Sequence, residues 1–128
     1  MGEQISRSIL VVDDEPNFVR AVRLVLEEQG FLVYGADSAT QAMQMLEIIK
    51  PDLMLIDIMM PQIDGLTLIR EISSEPFWRD SPLVVVSALT EDQNKAAAHE
   101  AGAHAYLPKP FSSEVLISVV KNLLPRAA

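Results

Sequence analysis

The run Leu53-Met54-Leu55-Ile56, followed at once by Asp57, decides the fold of this 128-residue chain. Four consecutive apolar residues are typical of a strand that is covered on both faces, as in a parallel sheet between layers of helices. Two other runs have the same character, Ile9-Leu10-Val11-Val12 and Leu83-Val84-Val85-Val86. These three runs predict the centre of a parallel sheet.

Helical patterns alternate with the apolar runs along the whole chain. We expect five strands, at 9–12, about 31–36, 53–56, 83–86 and 105–107. We expect five helices. The first runs from Pro16 to a stop at Gly30, the third from about Leu66 to Ser73, and the fifth from Ser112 or Ser113 to Pro125. The second follows a capping box of Ser38 and Gln41 and has an apolar stripe that reaches Ile49, and the fourth follows a capping box of Thr90 and Gln93. Strict alternation implies right-handed crossovers and a doubly wound α/β domain.

Composition limits the classes of function. A hydrophobic fraction of 49% and a length of 128 residues fit one domain over residues 1–128, with a core at about 8–124. The net charge of −8 disfavours nucleic acid and anionic lipid as partners. The longest apolar stretch is interrupted by Asp57, and the sequence has neither cysteine nor a secretory signal pattern. We therefore expect a cytoplasmic protein that does not bind membranes.

Polar side chains stand where the predicted strands end. Asp13 and Asp14 follow the first strand, and Asp57 follows the third. Ser87 ends the fourth strand and Lys109 follows the fifth. Because the carboxyl ends of parallel strands meet at one edge of the sheet, one pocket is expected to collect all five side chains.

Three converging carboxylates would repel one another without a cation. Mg²⁺, with Mn²⁺ as a substitute, is the expected ion, because it takes oxygen ligands and bridges carboxylates to phosphate oxygens. Asp57 then has the chemistry of a nucleophile toward a phosphoryl group. Lys109 would supply a fixed positive charge and Ser87 a hydroxyl donor.

Each of these residues also has an ordinary structural explanation. Asp13 and Asp14 could cap the helix that starts at Pro16, and Asp57 could be a turn residue. Ser87 and Lys109 could be a loop hydroxyl and a solvated cation. The coincidence of all five at one edge of one sheet favours the functional interpretation.

From Ile9 to Leu124 the chain resembles the receiver domains of two-component response regulators. The motifs that carry the resemblance are Val11-Val12-Asp13-Asp14-Glu15, Asp57-Ile58-Met59-Met60-Pro61 with Asp64-Gly65, Ser87-Ala88, and Gly102-Ala103 leading to Tyr106-Leu107-Pro108-Lys109-Pro110-Phe111. The resemblance implies a flavodoxin-like sheet of order 2-1-3-4-5. Only Pro125-Arg126-Ala127-Ala128 follow the receiver in this sequence, so no output domain is expected within it.

The resemblance assigns roles to the site residues. It implies that Asp57 is the phosphoacceptor, that Asp14 is a direct magnesium ligand, and that Asp13 is a ligand through water. The carbonyl of Met59 would be a further ligand, and Lys109-Pro110 would be a cis peptide that directs the lysine inward.

The resemblance also implies a switch. Ser87 moves toward the phosphoryl oxygens and Tyr106 rotates into the vacated space, which changes the face formed by the fourth helix, fifth strand and fifth helix. The implied donor is a sensor histidine kinase or a histidine phosphotransfer protein, and the receptor of the signal is an unknown downstream protein. Such a domain is regulatory rather than a turnover enzyme.

Two sets of residues lead to further expectations: one departs from the family pattern, and the other lies beside the implied phosphoacceptor. His104 and Ala105 stand where many transcription-factor receivers have two aspartates, so we expect a monomer or a weak phosphorylation-dependent dimer without that family's salt-bridged interface. Met59 and Leu89 flank the implied path of the attacking water, and their apolar character predicts a long-lived phosphorylated state. No role is predicted for His99 or His104, for which surface or helix-end positions are expected, and Trp78 is expected to anchor its loop.

Three rival functions stay open at this point. A flavin-binding electron carrier shares the architecture, but its phosphate would meet the acidic loop 13–16. A phosphatase of the haloacid dehalogenase type carries a second acid two residues after the nucleophile, where this chain has Met59. The third rival is a receiver-like adaptor that binds proteins without being phosphorylated.

Overall fold

The computed structural model describes residues 7–59, 65–78, 80–89 and 91–124, and within these ranges five strands alternate with five helices. The strands are β1 (Ser8–Val12), β2 (Leu32–Ala36), β3 (Leu53–Ile56), β4 (Leu83–Ser87) and β5 (Ala105–Pro108). The helices are α1 (Pro16–Glu28), α2 (Ala39–Leu46), α3 (Gly65–Ser74), α4 (Asp92–Ala101) and α5 (Ser113–Leu123). All neighbouring strands pair in parallel in the order β2-β1-β3-β4-β5, which confirms the predicted flavodoxin-like fold.

Each face of the sheet has its own hydrophobic core, because successive side chains of a strand point to opposite faces. Leu10 and Val12 pack on the face covered by α2, α3 and α4. Ile9 and Val11 pack on the face covered by α1 and α5. The domain is therefore a three-layer sandwich.

The two-sided core explains the unbroken apolar runs from which the fold was predicted. Every residue of β3 and β4 is buried. Burying one large aliphatic side chain stabilises a fold by about 1.5–3 kcal/mol. An unpaired charge inside such a strand would instead destabilise the fold, because it would lose its hydration. Asp57 stands one residue beyond the end of β3, where the sheet edge can give a carboxylate partners.

Helix starts follow the predicted capping. Pro16 occupies the first turn of α1, and the hydroxyl of Ser112 accepts the backbone N–H of Val115 at the start of α5. At α2 the hydroxyl of Ser38 accepts the N–H of Gln41, as expected of a capping box. The reciprocal bond differs, because the Gln41 side chain accepts the N–H of Asp37 at 2.6 Å.

Two predicted helix boundaries change. Helix α2 ends at Leu46 and does not continue to Ile49 as the apolar stripe suggested. At this end the N–H groups of Glu47 and Ile48 donate to the carbonyls three residues earlier, so the helix closes in a tighter turn before Ile49. Helix α4 has Glu91 at its N-cap with no side-chain cap bond, while the predicted cap, Thr90, lies outside the described residues, as does Pro125.

The loop between α3 and β4 is attached to the domain by its own side chains. Trp78 packs against the core on the α2–α4 face, which confirms its predicted role as a loop anchor. The hydroxyl of Ser81 is buried and donates to the carbonyl of Pro51 at 2.7 Å. Among the described residues, no helix is long and apolar enough to cross a bilayer.

Candidate functional site

The sheet itself fixes the backbone of the predicted site. The N–H of Asp13 donates to Ala36 and the N–H of Asp57 donates to Val12, each at 3.0 Å. The N–H of Lys109 donates to the carbonyl of Ser87 at 2.8 Å. These bonds continue the ladders of the parallel sheet by one residue, so the site residues take their positions from the most rigid part of the fold.

Three carboxylates converge at this edge, as predicted. Asp13, Asp14 and Asp57 each offer an oxygen within 4.8 Å of the others. Asp13 is 1% exposed and Asp57 is 5% exposed, whereas Asp14 is open to solvent. The cluster therefore combines two buried acids with one accessible acid, all oxygen donors of the kind that hard divalent cations bind.

Both buried carboxylates are held in the same way. Oδ1 of Asp13 accepts the N–H of Glu15, and Oδ1 of Asp57 accepts the N–H of Met59, both at 2.9 Å. In each case the other oxygen, Oδ2, faces the ammonium of Lys109. The local turn thus fixes one oxygen of each acid, and the second oxygen points into the shared space.

Lys109 supplies the positive charge of the site. Its Nζ lies 2.8 Å from Oδ2 of Asp13 and 3.6 Å from Oδ2 of Asp57, and its side chain is 17% exposed. Burial alone would lower the pKa of Lys109, but the hydrogen bond to Asp13 and the nearby carboxylate charges raise the pKa above its ordinary value. The lysine is therefore a permanent cation. The peptide bond that follows it, Lys109-Pro110, is cis, as the sequence analysis expected.

The pKa of Asp57 is raised above its ordinary value, chiefly because the carboxyl is buried. The N–H of Met59 and the charge of Lys109 lower that pKa, and the charges of Asp13 and Asp14 raise it. Desolvation and acid–acid repulsion prevail. An added cation or an electrophile at Asp57 would relieve the excess negative charge.

The side chains of Ser87 and Tyr106 are hydrogen-bonded to the same loop residue, Leu89. The hydroxyl of Ser87 is fully buried and accepts the N–H of Leu89 at 3.1 Å. The hydroxyl of Tyr106 donates to the carbonyl of Leu89 at 2.6 Å. The two predicted switch residues are therefore both bonded to the backbone of one residue, Leu89.

The loop after Asp57 is only partly described. Met59 is 53% exposed at the rim of the site, while Met60, Pro61 and Asp64 of the quoted motif lie outside the described residues. Gly65 opens α3, and a Cβ there would lie 2.5 Å from Cα of Ile58. Only glycine permits this close approach of the helix to the acceptor loop.

Two side chains near the sheet have contacts that the sequence analysis did not foresee. The ring of Phe18, in the first turns of α1, has its centroid 4.0 Å from Nζ of Lys109. Nδ1 of His104 accepts the N–H of Leu83 at 3.0 Å and so supports the start of the β4–β5 pairing. Both histidines are exposed, as expected, but the bond from Leu83 gives His104 a structural role that was not predicted. No sequence pattern announces the first two contacts.

The arrangement as a whole suits a defined chemistry. A buried carboxylate with one oxygen directed at a fixed cation can act as a nucleophile toward an electron-poor group. The adjacent acids can hold a divalent cation that offsets the charge of an anionic reactant. The acidic loop after β1 is unsuited to cradle a flavin phosphate, which needs N–H donors or positive charge.

Comparison with known proteins adds an independent finding. A family model described as response regulator receiver domain matches residues 9–121. The chain is 35% identical over 122 residues to the phosphate regulon transcriptional regulatory protein PhoB of Escherichia coli, an alignment that covers 95% of this chain and 53% of that protein. It is 36% identical over 127 residues to the response regulator Rre1 of Synechocystis, covering 98% of this chain and 54% of that protein. The chain thus spans about half the length of the curated relatives it matches.

Solved structures agree with this match. The signal receiver domain of a signal transduction histidine kinase from Syntrophus aciditrophicus superimposes with a TM-score of 0.86 at 31% identity, covering 93% of this chain and 90% of that one.

Proposed function

The chain belongs to the response regulator receiver domain family, and we propose that it is a phosphorylation switch whose acceptor is Asp57. The observation that carries the proposal is the position of the Asp57 carboxylate. One of its oxygens lies 3.6 Å from the ammonium of Lys109, and the other is fixed by the N–H of Met59. Receiver domains are regulatory signalling domains, and we propose that this one has no separate substrate turnover.

A magnesium ion fits the donor set of the site. Asp14, Asp57 and the carbonyl of Met59 would hold it directly and Asp13 through water, and such an ion would offset the charges of Asp13 and Asp14 that add to the effect of burial in raising the pKa of Asp57. When bound, Mg²⁺ supplies neutralising charge that lets a carboxylate and a phosphoryl group approach each other. Mn²⁺ has compatible ligand preferences and is expected to substitute.

The transfer proceeds as a displacement at phosphorus. An oxygen of Asp57 forms the new O–P bond while the N–P bond of a phosphohistidine donor, or the O–P bond of a small acyl phosphate, breaks. The histidine nitrogen or the acyl oxygen departs with the electron pair of that bond. The ammonium of Lys109 stabilises the charge on the phosphoryl oxygens. Ser87 accepts a bond from Leu89 in the present arrangement and keeps its own proton to donate.

The same contacts suggest how the signal leaves the site. If Ser87 turns its hydroxyl to a phosphoryl oxygen, its bond to the N–H of Leu89 is lost. The carbonyl of Leu89 holds the hydroxyl of Tyr106, so the loop and the tyrosine change together. The face of α4, β5 and α5 then differs between the two states, and we propose that a downstream protein reads this difference.

The proposed setting follows from the family. The donor would be a sensor histidine kinase or a histidine phosphotransfer protein, in the cytoplasm. We propose one receiver domain over residues 1–128, with a core at about 8–124, that acts as a monomer or a weak phosphorylation-dependent dimer. The net charge of −8 argues against nucleic acid as a partner of this chain.

The proposal is tested by phosphorylation of the purified chain. Acetyl phosphate or phosphoramidate with Mg²⁺ should add one phosphoryl group, seen by intact mass, to the parent and to the control Asp80→Ala. Asp57→Ala should stay unmodified, and removal of Mg²⁺ with a chelator should abolish the reaction. An adduct retained on Asp57→Ala contradicts the assignment. A parent that takes no phosphoryl group contradicts the switch and favours an adaptor that acts by protein binding alone.

A further inference from the structure

The ring of Phe18, in the first turns of α1, faces the cation of the site. Its centroid is 4.0 Å from Nζ of Lys109. The same ammonium lies 2.8 Å from Asp13 and 3.6 Å from Asp57. The contacts of the ammonium therefore include one aromatic face and two carboxylates, which come from three separate parts of the chain.

This geometry is that of a cation–π interaction. An ammonium within about 6 Å of a ring centroid is attracted by the negative face of the ring, and the attraction grows as water is removed. The side chain of Lys109 is only 17% exposed, so the interaction belongs to the stronger part of the range. The ring is thus a binding partner of the lysine as well as part of the apolar stripe of α1.

The ring differs from the carboxylates in one respect that matters for the proposed function. Asp13 is at once the nearest partner of Lys109 and a member of the acidic cluster. Hard divalent cations take oxygen ligands, so a cation at the cluster competes with the lysine for the carboxylates. The aromatic face is not a ligand for such a cation and keeps its attraction for the ammonium.

The ring of Phe111 packs against the ring of Phe18. The two rings meet edge to face, with centroids 5.9 Å apart and planes at 88°. Phe111 follows Lys109 by two residues, so the ring of Phe18 contacts the segment after β5 both at the ammonium and at the aromatic side chain.

We propose that Phe18 is a positioning residue, which holds the ammonium of Lys109 beside Asp57 when the carboxylates are engaged by a metal ion. The proposal rests on the proposed function, because it assigns Phe18 to the same phosphoryl-transfer site. Phe18 acts through the lysine and does not touch the reacting group.

The chain provides a matched control. Nζ of Lys50 lies 4.8 Å from the ring centroid of Phe77, which is 58% exposed. This second lysine–phenylalanine pair has the same chemistry but belongs to the opposite, amino-terminal end of the strands. Phe77→Leu therefore removes a comparable ring without altering the site.

The experiment compares Phe18→Leu, Phe18→Tyr and Phe77→Leu with the parent. The first readout is the proton chemical shift of the Lys109 side chain by NMR, without and with Mg²⁺, because a proton over a ring face is shifted upfield. We expect Phe18→Leu to lose this shift, while Phe18→Tyr, which keeps the face, retains it in both conditions.

The second readout is the initial rate of phosphorylation by acetyl phosphate at saturating Mg²⁺. We expect Phe18→Leu to be slower by about fivefold, within the roughly two- to thirtyfold range that cation–π energies allow. Phe18→Tyr should stay within about twofold of the parent, and Phe77→Leu should match it. Circular dichroism confirms that each variant is folded.

Two results overturn the role of Phe18. One is a Lys109 signal that keeps its upfield shift in Phe18→Leu. The other is a parent that is phosphorylated while Phe18→Leu reacts at the parental rate. A parent that takes no phosphoryl group overturns the proposed function as well, and is told apart from these results by the parent reaction alone.

Discussion

Replacing Asp57 by asparagine should stabilise the metal-free fold, although it removes the proposed acceptor. The carboxylate oxygens of Asp13, Asp14 and Asp57 lie within 4.8 Å of one another, and Nζ of Lys109 is 3.6 Å from Asp57. At an effective dielectric constant of about 20, two unit charges about 4 Å apart interact by about 4 kcal/mol. Ionised Asp57 therefore meets two repulsions and one attraction of similar size.

The net gain is smaller than one full repulsion. Asp14 is exposed, so solvent screens much of its share. The amide oxygen of asparagine can still accept the N–H of Met59, and Lys109 keeps its bond to Asp13. We expect Asp57→Asn to raise the free energy of unfolding by about 1–2 kcal/mol at pH 7, or the melting temperature by about 5 °C for a domain of this size.

The raised pKa of Asp57 also predicts the direction in which stability changes with pH. The pKa of Asp57 is raised in the folded chain above its ordinary value of 3.8, so between these two values the folded state binds more protons than the unfolded state. The contribution of Asp57 to stability therefore increases as pH falls from 7 through the folded pKa, and it stops changing below the unfolded pKa. The asparagine variant should lack this component.

The assay is urea unfolding of the parent, Asp57→Asn and Asp80→Asn in chelator at pH 7 and pH 5. Asp80→Asn makes the same change of net charge at an exposed position. Asp57→Asn should have a higher free energy of unfolding than the parent and Asp80→Asn at pH 7, and this difference in free energy should be smaller at pH 5. Added Mg²⁺ should stabilise the parent more than the variant by mass action. The reasoning is refuted if Asp57→Asn is no more stable than Asp80→Asn at pH 7.

Three further predictions concern the rim of the site, the approach of α3 and assembly. Met59→Asn combined with Leu89→Glu should shorten the lifetime of the phosphorylated state several-fold, timed by mass spectrometry after removal of the donor, and an equal or longer lifetime contradicts water exclusion. Gly65→Ala, whose Cβ would lie 2.5 Å from Cα of Ile58, should lower the phosphorylation rate and the free energy of unfolding by more than about 1 kcal/mol, and parental values for both would disprove the steric argument. In sedimentation, the beryllofluoride-bound chain should not form the salt-bridged dimer. A dimer that is lost in Lys121→Glu would show that this interface is present.

The fold was predictable wherever one physical requirement determined the sequence pattern. Strand β3 has its predicted bounds, because a strand covered on both faces must be apolar throughout. The predicted end of α2 was wrong, since Ile49 continues the apolar stripe although the backbone leaves the α-helical pattern after Leu46. The order of the strands came from family resemblance, because alternation of strands and helices alone allows several orders.

The candidate site was predictable to a similar degree. Asp13 and Asp57 were expected together because carboxyl ends of parallel strands share one edge, and the structure brings them to the same lysine. The contact of Phe18 with Lys109 could not be foreseen, since an aromatic residue in a helix stripe is usually core. The support that His104 gives to Leu83 depends on the pairing of β4 with β5, which no local pattern encodes.

Asp13, Asp57 and Lys109 are bonded into the sheet through their backbone, whereas other residues of the site lie in loops. The residues proposed to accept the phosphoryl group are bonded into the sheet, so we expect changes that disturb these bonds to disturb folding as well. The residues that we expect to set the lifetime of the phosphorylated state, Met59 and Leu89, stand in loops just beyond the ladder. Selection can therefore retune how long a signal persists, from brief pulse to lasting memory, by substitutions that leave the folded scaffold almost untouched.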